Sequence, residues 1–277
     1  MSHPFSTRPI PILTPPNVSD RNAIQVDTND PRSQEPLVEV RELGINGDNY
    51  YARQDTNPPY NAAIKGAIAR LLLREGAATR LALADDRLKA FGLRLFVFDG
   101  YRPIATQEGL WQHFWSQFET ANPQWSEAEI ERETQKIVAD PRSFDPEHPN
   151  RNPPPHATGG AVDLTLTDAT GAPLDLGTPF DDSTSIAATA FFEMELEKGR
   201  DREVFDVCLS NRRILYWSMR EVGFTNYSNE WWHYDFGNSM HVLSLKMLGE
   251  PLATGAAWYG YAGGLRAPRS RGCGPGA

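Results

Sequence analysis

The sequence predicts an α+β fold in which a small, mainly antiparallel sheet is flanked by helices. Residues 93–98 and 161–167 form short runs of aliphatic, aromatic and β-branched residues that end at turn residues, which is typical of strands. Longer stretches carry apolar residues at helical spacing, most clearly 104–118 and 203–222. The chain has 277 residues, of which 40% are hydrophobic, so it can bury a sizeable core.

The other elements follow from the same signals. Gly76 is expected to separate two helices, and Ser126 has the acidic residues of a helix start directly after it. In chain order the predicted elements are strand 37–40, two helices within 61–90, strand 93–98, helix 104–118, a helix from 126 to about 139, strand 161–167, helix 203–222, and paired strands 224–227 and 231–236.

Composition divides the chain into three parts. Residues 1–36 contain seven prolines among polar residues, which predicts an extended N-terminal arm largely without regular structure. Residues 37–250 hold the strand and helix patterns, and we expect them to form a single domain. Residues 251–277 form a Gly-rich tail, from which Trp258, Tyr259 and Tyr261 are expected to pack back on the domain.

Net charge and the N-terminus bear on partners and location. A net charge of −9 argues against nucleic acid and anionic membranes as partners. No apolar run approaches the roughly 20 residues of a membrane span, and the N-terminus lacks the pattern of a signal peptide, so we expect a cytoplasmic protein. Two cysteines, Cys208 in a predicted helix and Cys273 in the tail, do not make a disulfide framework. The sequence leaves the oligomeric state open.

The stretch from Pro153 to Thr167 has the clearest chemical pattern. Three prolines hold the backbone extended, His156 follows at once, and two glycines then allow a tight turn into the strand that contains Asp163. Strand alternation places Asp163 on the face with small and polar residues. A buried carboxylate needs a partner there, and a cation or a metal ion would supply one.

A second cluster, Glu230-Trp231-Trp232-His233-Tyr234, completes a candidate metal site. Its aromatic run favours a strand, where residues three apart point to opposite faces, so Glu230 is expected on irregular backbone at the strand's mouth. His233 would then be the third ligand beside His156 and Asp163, and Glu230 a nearby base. Two histidines and one aspartate leave the fourth position of a tetrahedral zinc open for water.

Arg102 is the fourth candidate residue of this site. It lies just beyond the end of the 93–98 strand, where Pro103 restrains the backbone, and a guanidinium there is well placed to stabilise an oxyanion. Taken singly, each residue has an ordinary explanation: a hydrogen-bonded core histidine for His156 or His233, and a surface salt bridge for Arg102. The chain has no His-Glu-x-x-His, Gly-x-Ser-x-Gly, P-loop or dinucleotide motif.

These residues resemble a known family, the zinc D-alanyl-D-alanine dipeptidases and related D,D-carboxypeptidases (peptidase family M15, VanX-like). The family pattern Ser-x-His-x-x-Gly-x-Ala-x-Asp and the later Glu-x-x-His are matched here by His156, Gly159, Ala161, Asp163, Glu230 and His233. Residues 99–103, 177–181 and 211–213 resemble further dipeptidase segments. The similarity extends from about Tyr50 to Tyr234.

The resemblance implies a role for each matching residue. One zinc ion per chain would be bound on the sheet by His156, Asp163 and His233. Glu230 would act as base and later as acid, and Arg102 would stabilise the tetrahedral intermediate. Asp181 would bind the free amino group of a small dipeptide, and Tyr51 would line the same pocket. Residues 37–250 would then be the catalytic domain of an enzyme that hydrolyses D-Ala-D-Ala.

One departure from the family pattern leaves alternatives open. The serine that the family has two residues before the first histidine is Pro154 here, so a hydroxyl that could contact the substrate is missing. The first alternative is therefore a D,D-carboxypeptidase, or a dipeptidase of other specificity, acting on cell-wall-type peptides. The second is a metal-stabilised binding domain without catalysis, although a structural zinc prefers four protein ligands.

Overall fold

Seven short strands and six α-helices make up the regular structure of residues 3–14, 17–54, 60 and 62–263, which are the residues that the computed structural model describes. The strands are β1 Leu37–Glu39, β2 Asn46–Gly47, β3 Leu72–Arg74, β4 Leu93–Asp99, β5 Ala161–Asp168, β6 Thr225–Asn226 and β7 His233–Asp235. The helices are α1 Glu75–Lys89, α2 Ile104–Ala121, α3 Glu127–Thr134, α4 Phe191–Glu197, α5 Asp206–Glu221 and α6 Ser239–Met247.

The main sheet has five strands in the order β2-β4-β5-β7-β6. Strands β2 and β4 are parallel, and the other neighbouring pairs are antiparallel. Strands β1 and β3 form a separate antiparallel pair. The predicted α+β class and the mainly antiparallel sheet are therefore confirmed, and so is the pairing of the strands near 225 and 233.

Strand β5 is the centre of this sheet and is buried from Ala161 to Thr167. Its apolar residues Val162, Leu164 and Leu166 belong to the main hydrophobic core, to which α1 and α5 also contribute. On the same strand Asp163 lies opposite Asp99 of β4 and opposite His233 of β7. Since opposite residues of antiparallel strands share a face, these three polar side chains form a row across the sheet.

The region before α1 differs from the prediction. Two helices separated by Gly76 were expected within 61–90, but α1 includes Gly76, and residues 62–71 form no helix. Gly66 explains part of the difference, because its φ of +85° is not helical and a Cβ there would lie 2.6 Å from the backbone of Ala105. The chain thus passes α2 at close range and then enters β3.

The two terminal segments pack on the domain. Three short 3₁₀ helices, Pro4–Thr7, Val18–Ala23 and Pro31–Gln34, interrupt the proline-rich arm. Val26 of the arm pairs with Ala257 of the tail, and Trp258 and Tyr259 are buried in the core, as expected. The division into arm, domain and tail stays a prediction.

No helix among the described residues has both the length and the apolar character to span a bilayer. Cys273 lies outside the described residues.

A buried ion pair joins the arm to the helical layer. Arg213 of α5 donates to both carboxylate oxygens of Glu193 on α4, at 2.7 and 2.6 Å, and both side chains are buried. The backbone N–H of Ile10 donates to the same carboxylate at 2.9 Å. Removing one member of a buried pair leaves the other charge without compensation.

Glu193→Ala is therefore expected to lower the free energy of unfolding by about 3–5 kcal/mol, measured by urea denaturation. Glu195→Ala is the control on the same helix, since Glu195 pairs with Lys198 at the surface and exposed pairs contribute little. Equal midpoints for the two variants would show that the buried pair does not stabilise the protein.

Candidate active site

Three side chains that are distant in the sequence meet at one point on the sheet. His156 lies in a 3₁₀ turn, Pro155–Thr158, just before β5, while Asp163 and His233 face each other on β5 and β7. Nε2 of His156 lies 3.1 Å from Nδ1 of His233. The carboxylate of Asp163 lies 3.0 Å from the same Nδ1 and 3.3 Å from the same Nε2. All three residues are buried.

The remaining ring nitrogens are held by hydrogen bonds that point away from this cluster. Nδ1 of His156 donates to the carbonyl oxygen of Gly100 at 2.8 Å, and Nε2 of His233 donates to Asp235 at 3.0 Å. Asp235 in turn accepts from the side chain of Asn238 at 2.6 Å. These bonds orient both rings, so that the lone pairs of Nε2 of His156 and Nδ1 of His233 face the carboxylate.

The cluster fits a tetrahedral metal ion. Bonds of about 2.0–2.1 Å to zinc place neighbouring ligand atoms about 3.3 Å apart, close to the separations observed here. The donor set of two imidazoles and one carboxylate is that of catalytic zinc sites, which keep the fourth position open. His156, Asp163 and His233 could therefore hold one divalent ion on the sheet.

The carboxylates around the cluster favour a positive charge at this position. Burial disfavours the charged form of His233, but Asp235 and Asp163 outweigh it and raise the pKa of His233 well above its usual value. Burial likewise acts to raise the pKa of Asp163, and the two histidines reverse this and hold it well below its usual range. Metal and proton therefore compete for the same atoms.

Glu230 lies beside the cluster on irregular backbone between β6 and β7, where it was expected. Its N–H donates to the carbonyl oxygen of Tyr227 at 3.0 Å, which closes a turn. Its carboxylate lies 3.9 Å from Nδ1 of His233, and 35% of the side chain is exposed. Partial burial raises the pKa of Glu230 to about 7; His233 opposes this shift, whereas Asp163 and Asp181 add to it.

Arg102 lies next to Asp163, and 13% of its side chain is exposed. Its guanidinium donates to Asp99 at 2.9 Å, to Gln107 at 3.1 Å and to the hydroxyl of Tyr51 at 3.0 Å. One nitrogen also lies 3.4 Å from the carboxylate of Asp163. Burial favours loss of the proton, but Tyr51 and the surrounding carboxylates outweigh it and raise the pKa of Arg102, so that the guanidinium stays charged.

Asp181 is a further carboxylate of the same site. Its Oδ2 accepts hydrogen bonds from Tyr51, at 3.0 Å, and from Tyr60. Among the described residues it is the one non-glycine residue with a positive φ, 59°, a conformation that aspartate tolerates better than most residues. Burial, together with the charge of Asp163, raises the pKa of Asp181 to about 6. The structure thus brings all seven predicted site residues into one connected group of side chains.

The sequence analysis did not identify three residues that support this site. Asp235 orients His233, Asp99 holds Arg102, and Tyr60 donates to Asp181. Alternation could have identified Asp235, because residues two apart on a strand share a face and Asp235 follows His233 by two. Asp99 ends the strand that leads to Arg102, but its Asp-Gly pair also reads as an ordinary turn. Tyr60 carries no sequence signal, since only the fold brings it to Asp181.

Comparison with known proteins gives one family. The model of peptidase family M15, described as D-ala-D-ala dipeptidase, matches residues 37–246. The chain is 27% identical over 218 residues to the D-alanyl-D-alanine dipeptidase of Synechocystis sp., covering 74% of this chain and 83% of that protein. It is 30% identical over 167 residues to the D-alanyl-D-alanine dipeptidase of Escherichia coli K12, covering 60% of this chain and 67% of that protein.

Among solved structures, similarity is found to the vancomycin resistance D,D-pentapeptidase VanY in complex with Zn(II). The identity is 16% and the TM-score 0.40, with 73% of this chain and 95% of that chain covered.

The hydrogen bond from His233 to Asp235 generates a prediction about metal binding. Asp235→Asn is expected to weaken the binding of zinc about 10- to 100-fold, because an amide orients the imidazole less firmly and makes it a weaker ligand. Competition with a chromophoric chelator measures the dissociation constant. Asp86→Asn, which removes an exposed carboxylate on α1, is the control for the change of charge. Equal zinc affinity of the two variants would contradict a role for Asp235 in metal binding.

Proposed function

This chain belongs to peptidase family M15, the D-Ala-D-Ala dipeptidases, and on that premise we propose that it hydrolyses free D-Ala-D-Ala with one zinc ion per chain. The observation that carries the proposal is the cluster of His156, Asp163 and His233, whose ring orientations are fixed and whose donor atoms lie 3.0–3.3 Å apart. Glu230 and Arg102 flank this cluster from two sides.

The metal and the protein contribute different parts of the chemistry. When bound, zinc acts as a Lewis acid that polarises a carbonyl group and lowers the pKa of water to near 7. The two histidines and Asp163 would hold the ion, and hydrogen bonds to Asp235 and to the carbonyl oxygen of Gly100 would keep the rings in the required tautomers.

Glu230 is the proton carrier of the proposed reaction. Burial raises the pKa of Glu230 to about 7. Its carboxylate lies beside His233, where it can take a proton from the attacking water and return it to the leaving amine. Its exposed side gives it access to water, and its other side lies against His233. Loss of this carboxylate is therefore expected to reduce turnover more than it reduces metal binding.

Arg102 supplies the fixed positive charge of the site. Its contacts with Asp99, Gln107 and Tyr51 hold the guanidinium in place, with 13% of the side chain exposed. A preorganised buried cation stabilises negative charge that develops on the oxygen of the scissile carbonyl group. Because Arg102 is already held by the protein, little reorganisation is needed during the reaction.

Asp181 is the proposed reason why the substrate is a dipeptide. Both tyrosine hydroxyls donate to Oδ2, and we assign Oδ1 to the ammonium group of the substrate. A peptide with an acylated amino group has no charge to offer Asp181, so a longer wall peptide would leave this carboxylate without its partner. Tyr51 contacts both Asp181 and Arg102 and so joins the two ends of the pocket.

Pro154 replaces the serine of the family pattern, so a D,D-carboxypeptidase or a dipeptidase of other specificity is the alternative that the substrate tests address. The cytoplasmic location and the lack of nucleic-acid and membrane partners stay predictions.

Glu230→Gln is expected to lower kcat about 10²- to 10⁴-fold, because glutamine has nearly the same shape but cannot accept the proton. Zinc content, measured by atomic emission, is expected to stay at one ion per chain. Release of D-alanine from D-Ala-D-Ala gives the rate. Wild-type turnover in a zinc-loaded Glu230→Gln variant would reject the proposed role of Glu230.

Asp181→Asn is expected to raise KM for free D-Ala-D-Ala strongly, because the ion pair with the ammonium group is lost. Asp182→Asn, one residue along and partly exposed, is the matched control and is expected to leave KM unchanged. The wild type is expected to cleave D-Ala-D-Ala and not its N-acetyl derivative. Faster cleavage of the acetylated peptide would favour the carboxypeptidase alternative.

A further inference from the structure

The turn that carries His156 is held mainly through its carbonyl groups. Residues 153–155 are prolines and have no N–H to donate, so the first part of the turn cannot be fixed by its own donors. We call residues 153–160 the His156 turn. Arg102 N–H donates to the carbonyl oxygen of His156 at 3.2 Å, which ties the turn to the end of β4. Most of the other carbonyl groups of the turn accept hydrogen bonds from residues outside residues 153–160.

The arm and the tail each supply one of these donors directly. The guanidinium of Arg21, a buried residue of the arm, donates to the carbonyl oxygen of Pro153 at 3.0 Å. The backbone N–H of Ala262 in the tail donates to the carbonyl oxygen of Ala157 at 2.9 Å. The two contacts lie on either side of His156 in the sequence.

Arg74 connects both terminal segments to the same turn. It is 1% exposed and donates to four carbonyl oxygens: Thr158 at 2.8 Å in the His156 turn, Ser33 at 2.8 Å and Glu35 at 2.9 Å in the arm, and Gly260 at 3.1 Å in the tail. Its own N–H donates to Gly159 at 2.8 Å. One buried cation thus fixes the distances between three chain segments.

The terminal segments are also bonded to each other. Backbone hydrogen bonds of 2.8 and 2.9 Å join residues 25–27 of the arm to Ala257 of the tail. Glu35 accepts from the hydroxyl of Tyr259 and, at 2.8 Å, from the N–H of Gly76 in the first turn of α1. Arm and tail therefore form one layer over the His156 turn, which they contact through Arg21, Arg74 and Ala262.

We infer that this layer positions His156 for metal binding, with Arg74 and Arg21 as positioning residues. The inference rests on the zinc site proposed above. The whole arm and the whole tail lie outside residues 37–246, the part of the chain that the family model matches. Their contacts converge on the one metal ligand that does not lie in a strand. The sheet register sets Asp163 and His233, whereas His156 depends on how its turn is held.

Zinc affinity of metal-free protein separates positioning from general stability. Arg74→Lys keeps the charge but cannot donate to four carbonyl oxygens at once, and it is expected to weaken zinc binding about 10- to 100-fold. Arg21→Met keeps the bulk and removes the donor to Pro153, with a smaller effect in the same direction. Competition with a chromophoric chelator gives the dissociation constant, and the visible spectrum of the Co²⁺-substituted proteins reports the ligand geometry.

Arg213→Lys is the matched control, because Arg213 is equally buried and binds Glu193 and the carbonyl oxygen of Ser6 at the other end of the arm. It is expected to lower the unfolding temperature of the metal-free protein while zinc affinity and the Co²⁺ spectrum stay unchanged. An equal fall of zinc affinity in Arg213→Lys and Arg74→Lys would overturn the inference. Unchanged zinc affinity in both variants would overturn it as well. If Arg74→Lys does not fold, unchanged zinc binding by Arg21→Met overturns it, and weakened binding supports it.

A wild type that binds no zinc would overturn the proposed function, and the inference with it. A wild type that binds zinc as tightly as the positioning variants do would overturn the inference alone.

Discussion

Two imidazole nitrogens and a carboxylate, 3.0–3.3 Å apart and buried, are the arrangement on which the rest of this structure depends. A metal ion or a proton between these atoms compensates the buried carboxylate, and hydrogen bonds from behind hold each ring in orientation. The fold provides these hydrogen bonds with Asp235 for His233 and the carbonyl oxygen of Gly100 for His156. Strand register sets Asp163 opposite His233, so that the third ligand needs no loop of its own.

The buried negative charge around the cluster also affects the acidity of Glu230 and Asp181. Asp99, Asp163 and Asp235 are buried around the cluster, and Arg102 is the guanidinium among them. Burial, with the charge of Asp163 added to it, raises the pKa of Glu230 to about 7 and that of Asp181 to about 6. The same carboxylates favour a positive charge at the cluster, and a bound cation would oppose both of these pKa shifts.

Different contacts hold the two ends of the site, the His156 turn and Asp181. At the His156 end of the site, the buried side chains of Arg21 and Arg74 donate hydrogen bonds to the His156 turn, over which the arm and the tail form an outer layer. At the opposite end, Asp181 keeps a left-handed backbone conformation while Tyr51 and Tyr60 hold its carboxylate. A residue in a sparsely populated conformation persists when its surroundings determine it, and such residues gather at functional sites.

The sequence by itself predicted the α+β class, strands β4 and β5 and helices α2 and α5, and, with the resemblance to family M15, the seven residues that the structure brings together. Periodicity, turn residues and motif spacing are local properties, and they are sufficient for segments such as 93–99 and 161–168. The supporting groups were decided by the tertiary structure, because Tyr60, Arg74 and Arg21 acquire their roles from contacts more than 80 residues away. The helix expected before Gly76 failed for the same reason, since close passage of Gly66 along α2 outweighs a helical pattern. Local sequence patterns identify the chemical groups of the site, whereas the distances between these groups depend on how segments that are distant in the sequence pack together.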